Sequence, residues 1–180
     1  MSEPSPSAAE TAPPARRLVV AGNWKMHGTL ASLEQFAARL SERVRQSQSD
    51  RLLFPATVHL ESAVRCFRSQ SLAIGGQDLH PEAQGAWTGD VSGEMLYDLG
   101  ARWVLVGHSE RRHHHGEDNA LIARKLVAAL RAGLHPVLCV GETLEQRQAD
   151  AAREIVGSQL SAALDAVGAA AFAEVTVAYE

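Results

Sequence analysis

The sequence has little of what marks several large classes of protein. It contains 2 cysteines among 180 residues, too few for a small secreted domain stapled by disulfides. Its formal net charge is -4 at pH 7, whereas nucleic-acid-binding proteins usually carry a basic excess. No apolar run in the sequence approaches the roughly 20 residues that span a bilayer. We therefore expect no nucleic-acid partner and no membrane partner.

The N-terminal residues lack the features of a secretory segment. Residues 1–16 are rich in Ser, Pro, Ala and Glu and hold no apolar stretch of the kind that a signal peptide needs. Because this composition cannot bury enough apolar surface to become ordered, we predict a flexible tail over 1–16 and a folded domain over 17–180. The expected location is cytoplasmic.

After the tail, one pattern recurs along the chain: a short apolar run, a loop, and a stretch with helical spacing. The predicted strands are residues 18–21, 51–54, 72–74, 103–106, 136–140 and 174–179. The predicted helices are residues 30–46, 58–67, 92–99, 117–132 and 149–167. The apolar runs are continuous, as in parallel strands that helices cover, so the alternation predicts an α/β fold.

Periodicity alone does not separate a doubly wound open sheet from an eight-stranded barrel. The first predicted strand is not followed by Gly-x-Gly-x-x-Gly, which weakens a dinucleotide-binding interpretation.

Five motifs are more specific than the periodicity. They are Ala-Gly-Asn-Trp-Lys-Met at 21–26, Gly-Ala-Trp-Thr-Gly-Asp at 85–90, Val-Gly-His-Ser-Glu-Arg-Arg at 106–112, Cys-Val-Gly-Glu-Thr at 139–143 and Val-Ala-Tyr-Glu at 177–180. In this order and at these intervals they resemble the motifs of triosephosphate isomerases, and the likeness covers residue 17 to the last. It implies a (β/α)₈ TIM barrel. It also implies interconversion of dihydroxyacetone phosphate and D-glyceraldehyde 3-phosphate through an enediolate, in glycolysis and gluconeogenesis.

The resemblance implies three catalytic residues. Glu180 matches the base that moves the proton, and His108 matches the group that donates to the substrate oxygens. The resemblance also implies that His108 acts as a neutral imidazole. Lys25 supplies positive charge for the phosphate and the enediolate. Each lies at or just past the end of a predicted strand, where such barrels place functional residues.

Further residues are implied to support the site. Asn23 would bind substrate together with Lys25, Glu110 would orient Lys25, and Ser109 would lie beside them. Thr88 belongs to the loop through which subunits of these dimers contact each other. The implied substrate is a small phosphorylated triose, the full-length protein is expected to be a homodimer, and no metal or organic cofactor is required.

Each residue also has a simpler interpretation. A lone His108 would usually be a core histidine, a lone Lys25 a solvated loop residue, and a lone Glu180 a solvated carboxylate. Their places inside the motifs favour the functional interpretation. The run at 113–115 is three histidines. Consecutive side chains point in different directions, so we predict a solvated patch there and no metal site.

The length differs from that of the family, since a barrel of this type takes about 250 residues. We therefore expect the chain to be truncated after its sixth strand, without strands seven and eight and the lid loop. A polypeptide of these residues alone is expected to be weakly stable, prone to associate and essentially inactive. Two alternatives stay open: a non-catalytic relic that acts only by binding or by pairing with a complete subunit, and a related sugar-phosphate isomerase.

Overall fold

The computed structural model describes residues 18–43, 49–68 and 70–180. The predicted tail at 1–16 and the end of the first predicted helix lie outside these residues. Within them, six strands form one sheet: β1 (Val19–Asn23), β2 (Asp50–Phe54), β3 (Ala73–Gly76), β4 (Trp103–Val106), β5 (His135–Val140) and β6 (Thr176–Tyr179). All neighbouring strands are parallel, and their order in the sheet is their order in the chain.

Helices occupy the connections between the strands. They are α1 (Leu30–Arg43), α2 (Leu60–Phe67), α3 (Gly93–Asp98), α4 (Ser109–His114), α5 (Asn119–Arg131), α6 (Leu144–Gln148) and α7 (Ala152–Phe172), with a 3₁₀ turn at Thr57–His59 before α2. Side chains cap α3, α5 and α6, since Ser92, Asp118 and Thr143 accept hydrogen bonds from the first turns of these helices. Local polar residues thus set where these helices begin.

The strand order decides the question that periodicity left open. A doubly wound sheet reverses its strand order, whereas this sheet adds each new strand on the same side of the last. Parallel connections are right-handed, so sequential addition places every covering helix on one face and lets the sheet curl. The result is a partial barrel of six strands with alternating helices, which confirms the predicted fold class.

Apolar side chains of the strands alternate between two clusters on the two faces of the sheet. The larger cluster lies between the sheet and the helices and includes Leu53, Val104 and Leu138. The smaller cluster lies on the opposite face; its buried members are Leu52, Phe54, Leu105, Val137 and Cys139. The inner strands are therefore buried on both faces, which is why their sequences read as continuous apolar runs.

The outer strands do not share this burial. On β1, Val19 and Val20 are exposed by 38% and 53%, and on β6 Val177 and Tyr179 are exposed by 43% and 57%. The apolar composition of these two strands matches that of the inner strands, but within the described residues each has a neighbour on one side only.

Several element boundaries differ from the predictions. The helix predicted over 149–167 is α7, which begins at Ala152, while a separate α6 precedes it and Gly168 interrupts its end with φ 76°. The third strand was predicted over 72–74, whereas β3 continues through Gly75 and Gly76, which pair with Trp103 and Val104. A Cβ on Gly75 would collide with the Phe54 ring, so the strand continues through a glycine because that ring packs across it.

No stretch of membrane-spanning length was expected from the sequence, yet the 21-residue helix α7 is long and apolar enough to span a membrane by length and composition alone. It nevertheless packs as a covering helix of the sheet, because Ala163 is 1% exposed and belongs to the larger cluster. Val156, Leu160 and Val167 pack against the same cluster. The spacing of these residues identifies one apolar face directed at the core.

Candidate active site

The predicted site residues come from the carboxyl-terminal ends of three strands. Asn23 ends β1 and Lys25 follows it, His108 follows β4, and Glu180 follows β6. Because all strands are parallel, these ends lie at one rim of the sheet. A cavity of about 210 Å³ opens there, lined by Asn23, Lys25, Met26, Gln77, His108, Glu110, Arg111 and His115. Glu180 and Ser109 line a second cavity, of about 180 Å³.

His108 is nearly buried and its ring is oriented by local backbone. It is the N-cap residue of α4, and its Nδ1 accepts a hydrogen bond of 3.2 Å from the Glu110 backbone N–H. An acceptor nitrogen carries no proton, so this bond assigns the tautomer in which Nε2 carries the hydrogen. Nε2 lies 3.2 Å from Oε1 of Glu180. The imidazole is thus placed to donate a proton from its inner edge.

Glu180 is held at its backbone and at its carboxylate. Its N–H donates to the Val140 carbonyl at 2.9 Å, and its Oε2 accepts from the Ser109 backbone N–H at 3.0 Å. A Cβ on Gly141 would collide with the Glu180 carbonyl, so a glycine after β5 is what lets Glu180 pack so closely. These contacts place the carboxylate beside His108.

Lys25 adopts a backbone conformation that is rare for a residue with a side chain. Its φ is 52°, in the left-handed region, and its N–H donates to the Asn23 side chain at 2.8 Å. Its Nζ lies 2.8 Å from Oε1 of Glu110. The hydrogen bond with Glu110 and its negative charge raise the pKa of Lys25. The same hydrogen bond and the positive charge of Lys25 lower the pKa of Glu110. The ammonium is therefore both charged and aimed at the rim.

These contacts form one connected chain of groups. Lys25 contacts Glu110, the Glu110 carboxylate lies 3.7 Å from His108, and His108 contacts Glu180. An ammonium, an imidazole N–H and a carboxylate that share one rim can remove a proton from carbon while they stabilise charge on neighbouring oxygens. The structure thus brings together the three residues that the motifs singled out.

Glu110 contacts Lys25, the residue that it is predicted to orient. Asn23 lines the same cavity as Lys25. Thr88 lies in an exposed segment, 82–90, where Trp87 stacks on His80 at 4.4 Å between ring centroids. The subunit contact assigned to this segment stays a prediction. The three histidines at 113–115 are exposed.

The sequence did not single out three other groups that support the rim. Gln77 donates to the carbonyls of Lys25 and Phe54, both at 2.9 Å. Gln159 of α7 accepts from the Gly141 N–H and donates to the Gly141 carbonyl, both at 2.9 Å. Position could have identified Gln77, because it comes directly after β3. No local signal marks Gln159, which reaches Gly141 only through the packing of α7.

A third group fixes the end of β6. The Tyr179 hydroxyl donates to Oε1 of Glu142 at 2.8 Å, and Arg147 bonds both the hydroxyl and the carboxylate. The hydrogen bond from Tyr179 is the main reason that the pKa of Glu142 is lowered. The residue before Glu180 is therefore tied to the loop after β5.

A buried ionic cluster lies behind the rim. Lys125 Nζ contacts Glu117 at 2.6 Å and Asp78 at 2.7 Å, and Arg111 bonds the same two carboxylates at 2.7 and 2.9 Å. Burial would raise the pKa of Glu117, but its bonds to Lys125 and Arg111 outweigh burial and lower it. Arg111 also lines the cavity of the rim, so this cluster fixes one of its walls.

Comparison with known proteins adds an independent finding. A family model described as "Triosephosphate isomerase" matches residues 18–180. The chain is 47% identical to the triosephosphate isomerase of Xanthomonas campestris pv. campestris (strain 8004) and 46% identical to that of Stenotrophomonas maltophilia (strain K279a), each over 165 residues. Each alignment covers 92% of this chain and 66% of the relative, so the chain spans just under two thirds of the relatives' length.

Proposed function

The chain belongs to the triosephosphate isomerase family, and from that premise we propose that it interconverts dihydroxyacetone phosphate and D-glyceraldehyde 3-phosphate. The observation that carries the proposal is the meeting of Lys25, His108 and Glu180 at one rim of the sheet, linked by contacts of 2.8 to 3.7 Å. The family assignment supports the substrate, and the geometry supports a proton transfer between adjacent carbons.

In the proposed reaction, the Glu180 carboxylate removes a proton from the carbon beside the carbonyl. The Nε2–H of His108 donates to the carbonyl oxygen as the double bond moves, so that the oxygen does not carry a full charge. The Lys25 ammonium stabilises the negative charge that develops on the enediolate and binds the phosphate. The hydroxyl on the first carbon then gives its proton to the same imidazole nitrogen, and Glu180 returns the carbon proton to the neighbouring carbon. Both residues recover their starting protonation, and no redox partner is needed.

The resting contacts define what the substrate must replace. Glu180 now accepts hydrogen bonds from the Ser109 N–H and faces Nε2 of His108. A substrate oxygen takes the place of Oε1 as the acceptor for Nε2–H, which frees the carboxylate to act on carbon. Glu110 holds the Lys25 ammonium at the rim during this exchange.

Two further properties complete the proposal. The exposed segment 82–90, with Thr88 near its tip, forms the contact between two subunits of a homodimer, which its exposure and the family assignment support. The protein acts in the cytoplasm, in glycolysis and gluconeogenesis.

The test uses a fused protein in which residues 1–180 are followed by the C-terminal third of the Xanthomonas campestris relative. Turnover of D-glyceraldehyde 3-phosphate is measured in a coupled assay. Replacing Glu180→Gln removes the base and is expected to lower kcat by at least about 100-fold. The matched control is Glu174→Gln, the same change at an exposed glutamate before β6, which should keep kcat within about twofold.

The outcomes separate the alternatives. A folded fused protein without turnover would support a relic that acts only by binding. Turnover of another sugar phosphate in preference to the triose would support the related isomerase. Equal loss of kcat in the Glu180→Gln and Glu174→Gln variants would contradict the role of Glu180 as the base.

A further inference from the structure

The backbone of Lys25 has a positive φ that its surroundings must stabilise. Among the described residues that are not glycine, it is one of two with positive φ, together with Asp150. The left-handed region is unfavourable for a side chain with a Cβ, so it persists only where surrounding contacts hold the peptide. Lys25 is half-exposed on a loop, where apolar packing cannot supply that restraint. The restraint must come from hydrogen bonds to its backbone.

Gln77 supplies hydrogen bonds at this place. Its side-chain amide Nε2 donates to the Lys25 carbonyl at 2.9 Å and to the Phe54 carbonyl at 2.9 Å. The Phe54 carbonyl also accepts from the Trp24 N–H at 3.0 Å. The Gln77 amide, which follows β3, therefore links the loop after β1 to the end of β2. The backbone N–H of Lys25 is bound separately, because it donates to the Asn23 side chain at 2.8 Å.

We propose that Gln77 is a positioning residue that clamps the Lys25 carbonyl and thereby fixes the direction of the Lys25 ammonium. The importance of that direction rests on the proposed function, in which Lys25 meets the phosphate and the developing charge. With the backbone held at both its N–H and its carbonyl, the side chain leaves the loop toward Glu110.

Gln77 acts through Lys25, although it lines the same cavity. A side-chain amide nitrogen has two hydrogens, and both are used by the two carbonyls. No N–H of Gln77 remains to donate to a substrate oxygen. Its effect on substrate is thus transmitted by the position of the lysine.

The first measurement is structural and does not depend on activity. Gln77→Met keeps the length of the side chain and removes both donors. In crystals of the variant, in the full chain and in the fused protein, Lys25 is expected to leave the left-handed region and to lose its 2.8 Å contact with Glu110. The matched control is Gln70→Met. The amide of Gln70 also donates to a backbone carbonyl, that of Ala37 at 3.3 Å, on the helical side of the sheet. This control should leave Lys25 unchanged.

The second measurement is kinetic, in the fused protein. Gln77→Met is expected to lower kcat/KM about 30-fold, within the range for a misplaced catalytic group, whereas Gln70→Met stays within about twofold. In a Lys25→Ala background, Gln77→Met should change kcat/KM less than about threefold, because the group that it positions is gone. A general structural role would give the same loss in both backgrounds.

A second variant covers the case in which Gln77→Met does not fold. Gln77→Glu keeps the shape of the side chain and recovers one donor only when it is protonated, so its kcat/KM relative to the parent should rise as the pH falls.

Unchanged Lys25 geometry in a folded variant, or equal losses with and without Lys25, would overturn the inference. If the parent fused protein shows no turnover, the proposed function fails, whereas the crystal geometry still decides the role of Gln77.

Discussion

The inner strands β2–β5 and the outer strands β1 and β6 have similar apolar sequences but very different surroundings. On β4 and β5, Val104 and Leu138 are fully buried, whereas Val20 and Val177 on the outer strands are about half exposed. The site uses both regions, because His108 follows an inner strand while Lys25 and Glu180 follow outer strands. His108 is nearly buried and is also oriented by the Glu110 N–H, whereas Lys25 and Glu180 are more exposed and depend mainly on hydrogen bonds.

Specific hydrogen bonds hold each of the two site residues that follow the outer strands. Lys25 is held by Asn23, Gln77 and Glu110. Glu180 is held by Val140 and Ser109. The two candidate catalytic residues that follow weakly packed strands are thus positioned by hydrogen bonds to their backbones and side chains. Four experiments test this difference between the inner and outer strands.

The largest contrast is expected in cysteine reactivity. Burial, reinforced by the charge of Glu180, raises the pKa of Cys139 on β5 to about 12, while Cys66 on α2 is only partly buried. Because the thiolate is the reactive form, Cys139 should be alkylated more than about 100-fold more slowly than Cys66 at pH 8. Labelling of the Cys66→Ser and Cys139→Ser variants measures the two rates separately. Comparable rates would mean that β5 is not buried in solution.

The second contrast is in stability, with the same chemical change at two places. Val104→Ala on β4 should lower the free energy of unfolding by about 2 kcal/mol, since it removes two buried methyl groups and leaves a cavity. Val177→Ala on β6 should lower it by about 0.5 kcal/mol or less. Urea denaturation of both variants tests this. Equal losses would show that β6 is as well packed as β4.

The third prediction concerns association of a polypeptide of residues 1–180. The combined change Val20→Lys and Val177→Lys places charge on both outer strands and should raise the concentration at which the chain associates by about tenfold. Val127→Lys, on the exposed side of α5, is the matched control and should change it little. Sedimentation of the parent and of the two variants measures the concentration at which each associates. An equal change in both variants would mean that the chains associate through a surface other than the outer strands.

The smallest effect is the pH dependence of the Lys25–Glu110 pair. The pKa of Glu110 is lowered from 4.5 in the folded protein, so the pair stabilises the fold above that value and is lost as the pH falls through the lowered pKa. The pKa of Lys25 is raised from 10.5, so the same stabilisation is lost at the alkaline end as the pH rises through it. Thermal unfolding of Glu110→Gln should therefore differ from the parent at neutral pH and converge with it at low pH. Glu174→Gln should not show this dependence, and a difference for Glu110→Gln that is independent of pH would contradict the pairing.

Much of the fold followed from the sequence because its signals are local. Continuous apolar runs identified the six strands, and helical spacing identified the helix over 117–132, which begins at Asn119 after its Asp118 cap. The boundary around α6 and α7 was missed because the break between them depends on Asp150, whose φ of 58° is not marked by a glycine. The predicted third strand stopped at 74, although Gly75 lies within β3, where the Phe54 ring packs across it.

By itself, the sequence determined the α/β class and the family, and it named the residues of the rim, since strand periodicity and motif order depend only on neighbours in the chain. The tertiary structure was needed for the single-sided order of the strands and for the contacts of Gln77 with Lys25 and of Gln159 with Gly141. The reason is physical: these contacts join residues that are far apart in the chain, and a hydrogen bond between them depends on distances and angles that exist only after the sheet has curled.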